Sequence, residues 1–302
     1  MSQASPVPAS PRTVRLALVF LFIATFAVAI SGTMVRLSET GPTATAFWRM
    51  ALAIPAMWLL MGMERRGETP AIAQPLSLRD FLWLAAAGLA FGVEIAIWNA
   101  AMMMTSVANG TLLSNLSPLF VALGAHFVLG QRFSRTFHVG LVLSVAGAAV
   151  LMGEDLSIST LHLAGDALAL SAAAFFGAYI LIIAKLRSRL STSVIMLWTC
   201  VFAALPILPL PFILSEPFWP YSIAGWAVLL TVALVCQASG QSLLTYALAH
   251  LPAAFSSVGF LLVPVNAAIV AWLVLGEPVR PLQTLGAAII LAGIVVARRG
   301  SR

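Results

Sequence analysis

Ten apolar stretches, each 16 to 25 residues long, follow one another along almost the whole chain. A helix needs about 20 apolar residues to cross a hydrocarbon core of ~30 Å, and eight stretches meet this length while two are marginal. None alternates with period two, so we predict helices. The stretches are Leu16–Val35, Thr43–Gly62, Phe81–Met103, Val107–Leu129, Phe137–Met152, Ala167–Ala184, Val194–Leu214, Ile223–Ala247, Ala253–Leu275 and Leu282–Ala297.

The composition agrees with a membrane protein, since 61% of the 302 residues are hydrophobic and only 9% are charged. Soluble domains are about 45–50% apolar and about 25% charged. The net charge of +6 comes from scattered basic residues without a patch, which indicates lipid headgroups rather than nucleic acid as the partner. Cys200 and Cys236 lie inside apolar stretches, so neither a disulfide framework nor a metal site is expected.

The first stretch is interpreted as a retained span. Arg12, Arg15 and the Ala27-Val28-Ala29 segment would also suit a cleaved signal peptide, but the apolar run continues to Val35. Placing the N-terminus in the cytoplasm puts thirteen basic residues on the cytoplasmic side and only Arg36 and Arg280 outside. Because basic residues favour the cytoplasmic side, both termini are predicted there.

An internal repeat divides the chain into two halves. A shift of 146 residues aligns Pro118 with Pro264, Gly140 with Gly286 and Gly147 with Gly293. Each half then has five helices, and an odd number forces the second half into the bilayer with the opposite orientation. The predicted fold is therefore an all-α integral membrane protein of ten helices in two five-helix inverted repeats, an arrangement typical of transporters.

The expected domain boundaries follow from this division. We predict a disordered N-terminal tail at 1–14, a first repeat at 15–153, an external linker at 154–162, a second repeat at 163–298 and a C-terminal tail at 299–302.

Several short motifs make the chain recognisable. Its fourth-helix region resembles that of the drug/metabolite transporter superfamily, and the second half repeats the pattern. The similar segments are Trp48-Arg49, Thr105–Asn109, Asn115-Leu116-Ser117-Pro118, Leu129-Gly130, Tyr246-Ala247-Leu248, Pro252-Ala253, Pro264, Leu275-Gly276-Glu277, Gly286 and Ala292-Gly293. The resemblance implies two EamA-type repeats and export of small organic molecules, and it is nearest to bacterial exporters of amino acids, including aromatic ones. One departure is Gln131 where the second half has Glu277.

Glu94 is the principal candidate for substrate binding. It lies 14 residues beyond Asp80, about 21 Å along the third helix. A charged residue at this depth is costly, so it normally faces a wet cavity. We expect Glu94 to bind a substrate ammonium group or a proton; the alternative is a protonated carboxyl bonded to a neighbouring helix.

Two further residues accompany this carboxylate. Trp98 lies four residues later on the same helical face and would stack on an aromatic or cationic ligand, unless it only packs. Arg49 begins near the outer end of the second helix, where an interfacial anchor or an intramembrane pairing is the favoured interpretation.

Other polar residues are candidates for lining the cavity, with ordinary interhelical hydrogen bonding as the alternative. The substrate-binding candidates on the fourth, sixth, eighth and ninth helices are Asn115, Tyr179, Gln237, Gln241 and Asn266. Pro118 and Pro264 occupy matched positions and are predicted to be the bending points for alternating access.

The leading functional hypothesis is a secondary transporter in the inner membrane that exports small amphipathic metabolites, foremost amino acids. The alternatives are a drug, cation or other metabolite exporter, an intramembrane enzyme and a non-transporting scaffold. No Gly-Lys phosphate-binding motif or catalytic constellation is found, so no cofactor, no metal and no enzymatic activity are expected. The expected partners are the bilayer, the substrate and protons, with the protein a monomer or weak homodimer.

Overall fold

The computed structural model describes residues 11–67, 76–105, 107–127, 130–153, 163–275 and 280–301. In the described ranges the first half of the chain forms six helices, α1 (Pro11–Arg36), α2 (Pro42–Gly67), α3 (Leu78–Met104), α4 (Val107–Ser114), α5 (Ser117–Phe127) and α6 (Arg135–Met152). The second half begins with α7 (Leu163–Leu186).

The remaining helices complete the second half. They are α8 (Thr192–Ile207), α9 (Leu210–Ile213), α10 (Ile223–Thr231), a π-helix (Val232–Gln241), α11 (Ser242–Ala247), α12 (Ala253–Gly259), α13 (Leu262–Leu275) and α14 (Pro281–Gly300). Within the described ranges, nine helical segments are long and apolar enough to cross a bilayer. The protein is thus a multi-pass helical membrane protein. The fourth predicted stretch, which is divided between α4 and α5, is not among the nine.

Two matched breaks interrupt the fourth and ninth predicted helices. The first separates α4 from α5 at Asn115–Leu116, and the second separates α12 from α13 at Phe260–Leu261. Pro118 and Pro264 lie in the first turns that follow, where a helix does not need the N–H that proline lacks. The prolines thus begin the second segments of these helices.

The backbone at the two breaks has the same hydrogen-bond pattern. Leu116 N–H donates to the Leu113 carbonyl at 3.1 Å, and Leu261 N–H donates to the Val258 carbonyl at 3.1 Å. Both bonds join residues three apart, the pattern of a 3₁₀ turn, which often marks a hinge inside a longer helix.

The repeat-matched glycines lie where α6 packs against α14. A methyl group at Gly140 would approach the Gly293 carbonyl to 2.7 Å, and one at Gly293 would approach the Gly140 carbonyl to 2.8 Å. A methyl group at Gly147 would likewise lie 3.0 Å from the Gly286 carbonyl. The Gly140–Gly293 contact is reciprocal, and only glycine permits this close approach of the two backbones.

The predicted terminal tails are shorter than expected. Residues 1–10 and the predicted linker 154–162 lie outside the described residues, but α1 already begins at Pro11, so residues 11–14 are helical. At the other end α14 continues to Gly300, which the prediction had assigned to the tail. The Gly300 carbonyl accepts a hydrogen bond of 2.7 Å from the Ser134 hydroxyl, which holds this last turn against α6.

The packing of the long helices assembles the middle of the molecule. The α3 helix packs against α7 and α8, α2 packs against α8 and the π-helix, and α1 packs against the π-helix and α13. Gly88 and Gly92 allow the close approach of α3 to α8, since methyl groups there would lie 2.9 Å from the Thr199 carbonyl and 2.8 Å from the Ala203 carbonyl. The inward-facing polar residues come from these packed helices.

Candidate functional site

Arg49 of α2 turns its guanidinium group into the helix bundle. Its Nε donates to the side-chain oxygen of Gln237 at 2.9 Å, and its Nη1 donates to the Ser31 hydroxyl at 3.3 Å. Arg49 lies seven residues from the start of α2, about 10 Å along the helix. These bonds agree with the intramembrane pairing expected for Arg49.

Gln237 is fully buried and comes from the π-helix. Its amide oxygen accepts from Arg49, while its amide nitrogen lies 3.7 Å from the sulfur of Cys200 on α8. Gln237 therefore links α2, the π-helix and α8. A π-helix is rare, and such segments often occur at functional sites, so its position at this link favours a functional role for the region.

The guanidinium group keeps unused hydrogen-bonding capacity. Arginine has five N–H donors and cannot lose its charge in a protein. Two of the five bind Gln237 and Ser31, and none of the other three is bonded to a described residue. A cation in a membrane interior normally pairs with an anion or a polar cavity, so the free donors indicate a place for an anionic group.

Glu94 of α3 lies at a similar depth. It is ten residues before the end of α3, about 15 Å along the helix, and its side chain is half-buried. Within the described part of the chain its carboxylate makes no hydrogen bond and no ion pair within 4.0 Å. The Arg49 guanidinium lies against Phe91, which is one turn before Glu94 on α3. The structure thus brings together two opposite charges that do not touch.

Aromatic rings form a wall beside the two charges. The Phe91 ring stacks on the Tyr179 ring at a centroid distance of 4.6 Å, and the Arg49 guanidinium carbon lies 6.0 Å from the Phe91 centroid. Phe176 continues the wall, 5.8 Å from Tyr179. Tyr179 is fully buried, and its hydroxyl has no hydrogen-bond partner among the described residues.

Trp98 shares one face of α3 with Phe91 and Glu94, because residues three, four and seven apart lie on the same side of a helix. Its side chain is half-buried. In the described ranges its ring stacks on no other aromatic ring, unlike Trp48, which contacts Phe47, Phe218, Trp219 and Trp226. Trp98 thus lies one turn beyond Glu94 without an aromatic neighbour in these ranges.

The other predicted candidates divide into two groups. Gln241 is buried in the π-helix, and its amide oxygen has no partner within the described segments. Asn115 donates to the Thr111 carbonyl of its own helix at 2.8 Å, and Asn266 donates to the Thr25 hydroxyl between α13 and α1 at 3.0 Å. Their amides are engaged in ordinary structural hydrogen bonds, whereas Gln241 retains a free acceptor.

Sequence reasoning missed the contribution of Phe91 and underestimated that of Arg49. Phe91 lies three residues before Glu94 and could have been found from helical spacing alone, but seventeen phenylalanines make such a pattern common. Ser31 and Cys200 carried no signal, because single small polar residues occur throughout membrane helices. The described residues contain no cluster of three His, Cys, Asp or Glu side chains that could hold a metal ion.

The fold, with polar groups inside the helix bundle, is that of a multi-pass helical membrane protein. The EamA-like transporter family model matches residues 15–153 and 163–299, and the chain belongs to that family, within the drug/metabolite transporter superfamily.

Similar proteins agree with this assignment. A probable terminal-alkyne amino-acid exporter of Streptantibioticus cattleyicolor is 27% identical, over 92% of this chain and 91% of its own. A pseudopaline exporter of Pseudomonas aeruginosa is 26% identical, over 92% and 94%. One crystal structure, at 16% identity, covers 97% of this chain and 99% of its own with a TM-score of 0.79, which shows the shared fold.

Proposed function

We propose that the protein is a secondary transporter of the inner membrane that exports small amphipathic metabolites carrying an amino group, foremost amino acids, aromatic ones included. The observation that carries this proposal is Glu94, a carboxylate inside a membrane helix without a hydrogen-bond or ion-pair partner among the described residues. An ammonium group of a substrate would give this carboxylate its missing partner.

Alternating access is the proposed mechanism. Ten helices in two inverted repeats are supported by the two family-model matches, the two matched helix breaks and the glycine contacts between α6 and α14. The distribution of basic residues supports cytoplasmic termini. In such transporters the site lies at the interface of the repeats and the halves rock around it. The breaks before Pro118 and Pro264 are the proposed bending points.

The proposal includes the class of protein, its oligomeric state and its coupling ion. The relatives that carry functional names are exporters, which supports a transporter rather than an enzyme. We further propose that the chain works as a monomer or weak homodimer, with no cofactor, and that protons are the coupling ion when export is active.

Counterflow in proteoliposomes tests the proposal. Purified protein is reconstituted, loaded with one unlabelled amino acid at a time and exposed to the labelled form, with protein-free vesicles as the baseline. We expect accumulation of at least one amino acid. An imposed pH gradient then separates proton antiport from facilitated diffusion. If no amino acid of the panel exchanges while organic cations do, the proposed substrate class is wrong.

The Glu94→Gln variant tests the role of the carboxylate. Removal of the negative charge should lower exchange by about tenfold or more, because a charge-assisted hydrogen bond to the ammonium group is lost. Glu94→Asp, which keeps the charge on a shorter side chain, should retain part of the flux. Full transport by Glu94→Gln at every pH would contradict the proposal.

A further inference from the structure

We infer that Arg49 binds the carboxylate of the transported solute while Glu94 faces its ammonium group, so that the site selects zwitterions over amines and over acids. The inference rests on the proposed function and deepens it, because it assigns the second half of the substrate and names the residue that recognises it.

Arg49 has hydrogen-bond donors that no described residue uses. Gln237 occupies Nε and Ser31 occupies one donor of Nη1, which leaves both N–H groups of Nη2 without a described partner. The Gln237 contact holds the guanidinium plane in a fixed orientation. A fixed planar fork with free donors is the arrangement that binds a carboxylate through paired hydrogen bonds.

The guanidinium group of Arg49 and the carboxylate of Glu94 are separated. The Arg49 guanidinium carbon lies 6.0 Å from the ring centroid of Phe91, one turn before Glu94 on α3, and no ion pair within 4.0 Å joins Arg49 to Glu94. In a medium of low dielectric constant, opposite charges attract strongly, and each stays costly without a close partner. A zwitterion placed between them would neutralise both, whereas an amine or an acid would neutralise only one.

Aromatic side chains lie beside the two charged groups. Phe91 and Tyr179 stack beside the guanidinium, and Trp98 lies one turn beyond Glu94. An apolar side chain attached between an ammonium and a carboxylate could pack on these rings. Tyr179 adds a hydroxyl that is buried without a partner in the described residues, and such groups normally find a hydrogen bond.

Ligand series provide the test. Binding to the purified protein is measured by displacement for phenylalanine, for phenethylamine, which lacks the carboxylate, and for 3-phenylpropionate, which lacks the ammonium group. Leucine and isopentylamine form a second pair. For the wild type we expect each amino acid to bind about 10- to 100-fold more tightly than its single-charge analogues, the range for a lost charge-assisted interaction.

Two variants then show which residue binds the carboxylate of the solute and which binds its ammonium group. Arg49→Gln should lose the preference for phenylalanine over phenethylamine while keeping its affinity for the amine, and Arg49→Lys should restore part of the preference. Glu94→Gln should show the opposite pattern, with the preference over 3-phenylpropionate lost. Arg298→Gln, which removes an exposed arginine from the last turn of α14, is the matched control and should bind as the wild type does.

The outcomes are distinguishable. A wild type that binds neither amino acid, or that binds the amines as tightly, overturns the inference even if Arg49→Gln does not fold. Amino-acid exchange by the wild type, with an unaltered preference in folded Arg49→Gln, overturns the inference but leaves the proposed function standing. Zwitterion-selective binding without any counterflow would support the inference and contradict the transport function.

Discussion

Glu216 caps the N-terminus of α2 through Thr43, 173 residues away in the sequence: its carboxylate accepts the Thr43 backbone N–H at 2.9 Å and the Thr43 hydroxyl at 2.6 Å. In turn, the carboxylate of Glu39, in the loop before α2, accepts a hydrogen bond of 3.0 Å from the backbone N–H of Ser222, the N-cap residue of α10. Each loop thus supplies the carboxylate that caps the helix of the other. These bonds join the two halves of the chain at one end of the bundle.

Loss of this cap should destabilise the protein. Glu216→Ala removes the acceptor for the first N–H groups of α2 and the favourable charge at the helix N-terminus, with a cost of about 1–2 kcal/mol in the free energy of unfolding. Glu216→Gln retains an acceptor oxygen and should cost less. The melting temperature of each variant is measured in detergent. It is the temperature at which half of the protein is no longer monodisperse after heating. Equal melting temperatures for Glu216→Ala and wild type would show that the cap contributes nothing.

The α6–α14 contact should be intolerant of a single methyl group. In Gly293→Ala the new carbon would lie 2.3 Å from the Ser144 hydroxyl and 2.6 Å from the Ser144 backbone nitrogen, so the helices must separate. We expect a loss of about 1–3 kcal/mol or more, typical of overpacking. Gly32→Ala is the control, since nothing lies within 4 Å of its methyl position and alanine favours a helix. Gly32→Ala should be neutral or stabilising in the same assay.

The spans could be predicted from the sequence because their cause is local. Apolar runs long enough to cross a bilayer leave few alternatives to helices, and most runs match a described helix closely, such as Thr43–Gly62 within α2. The breaks were less visible. Pro118 and Pro264 marked their neighbourhood, but the turns at Asn115–Leu116 and Phe260–Leu261 depend on the packing of α4, α5, α12 and α13.

The site could be predicted only in part, because its groups meet through tertiary contacts. Glu94 stood out as a lone carboxylate in an apolar run. Arg49 finds Gln237 188 residues away, and this pairing requires α2 to pack against the π-helix. Asn266 had the same polar signal as Gln237, yet its partner is Thr25 on α1. A polar residue in a span does not itself reveal which neighbour it faces.

Replacement of the two prolines, which favours continuous helices at the two breaks, should slow transport. In the Pro118→Ala and Pro264→Ala double variant each position regains a backbone N–H, so continuous helices become more favourable than the interrupted ones. Exchange should become slower while substrate binding and thermal stability stay near the wild type. Counterflow rates and displacement binding, measured on the same preparation, separate the two effects. An unchanged exchange rate would mean that these positions are not bending points.

Trp98 should determine the preference for aromatic side chains. Trp98→Ala removes the half-buried ring one turn beyond Glu94, and stacking of an aromatic ligand is worth about 0.5–1.5 kcal/mol beyond the area it buries. The apparent affinity for phenylalanine should fall by about threefold to tenfold, and that for alanine should change little. Trp272→Ala, at a tryptophan that is 52% exposed on α13, is the matched control. An equal loss for both amino acids would assign Trp98 to packing.

Tyr179→Phe should separate stability from binding. The Tyr179 hydroxyl is buried without a described partner, and an unsatisfied buried polar group costs about 1–3 kcal/mol. Its removal should leave the Phe91 stack intact and raise the melting temperature of the ligand-free protein. If the hydroxyl bonds the solute, the same change should weaken amino-acid binding by about threefold to tenfold. Tyr221→Phe, in an exposed loop, should alter neither quantity. A stabilised variant with unchanged affinity would exclude the Tyr179 hydroxyl from the site, because a ligand contact must be lost with the group that makes it.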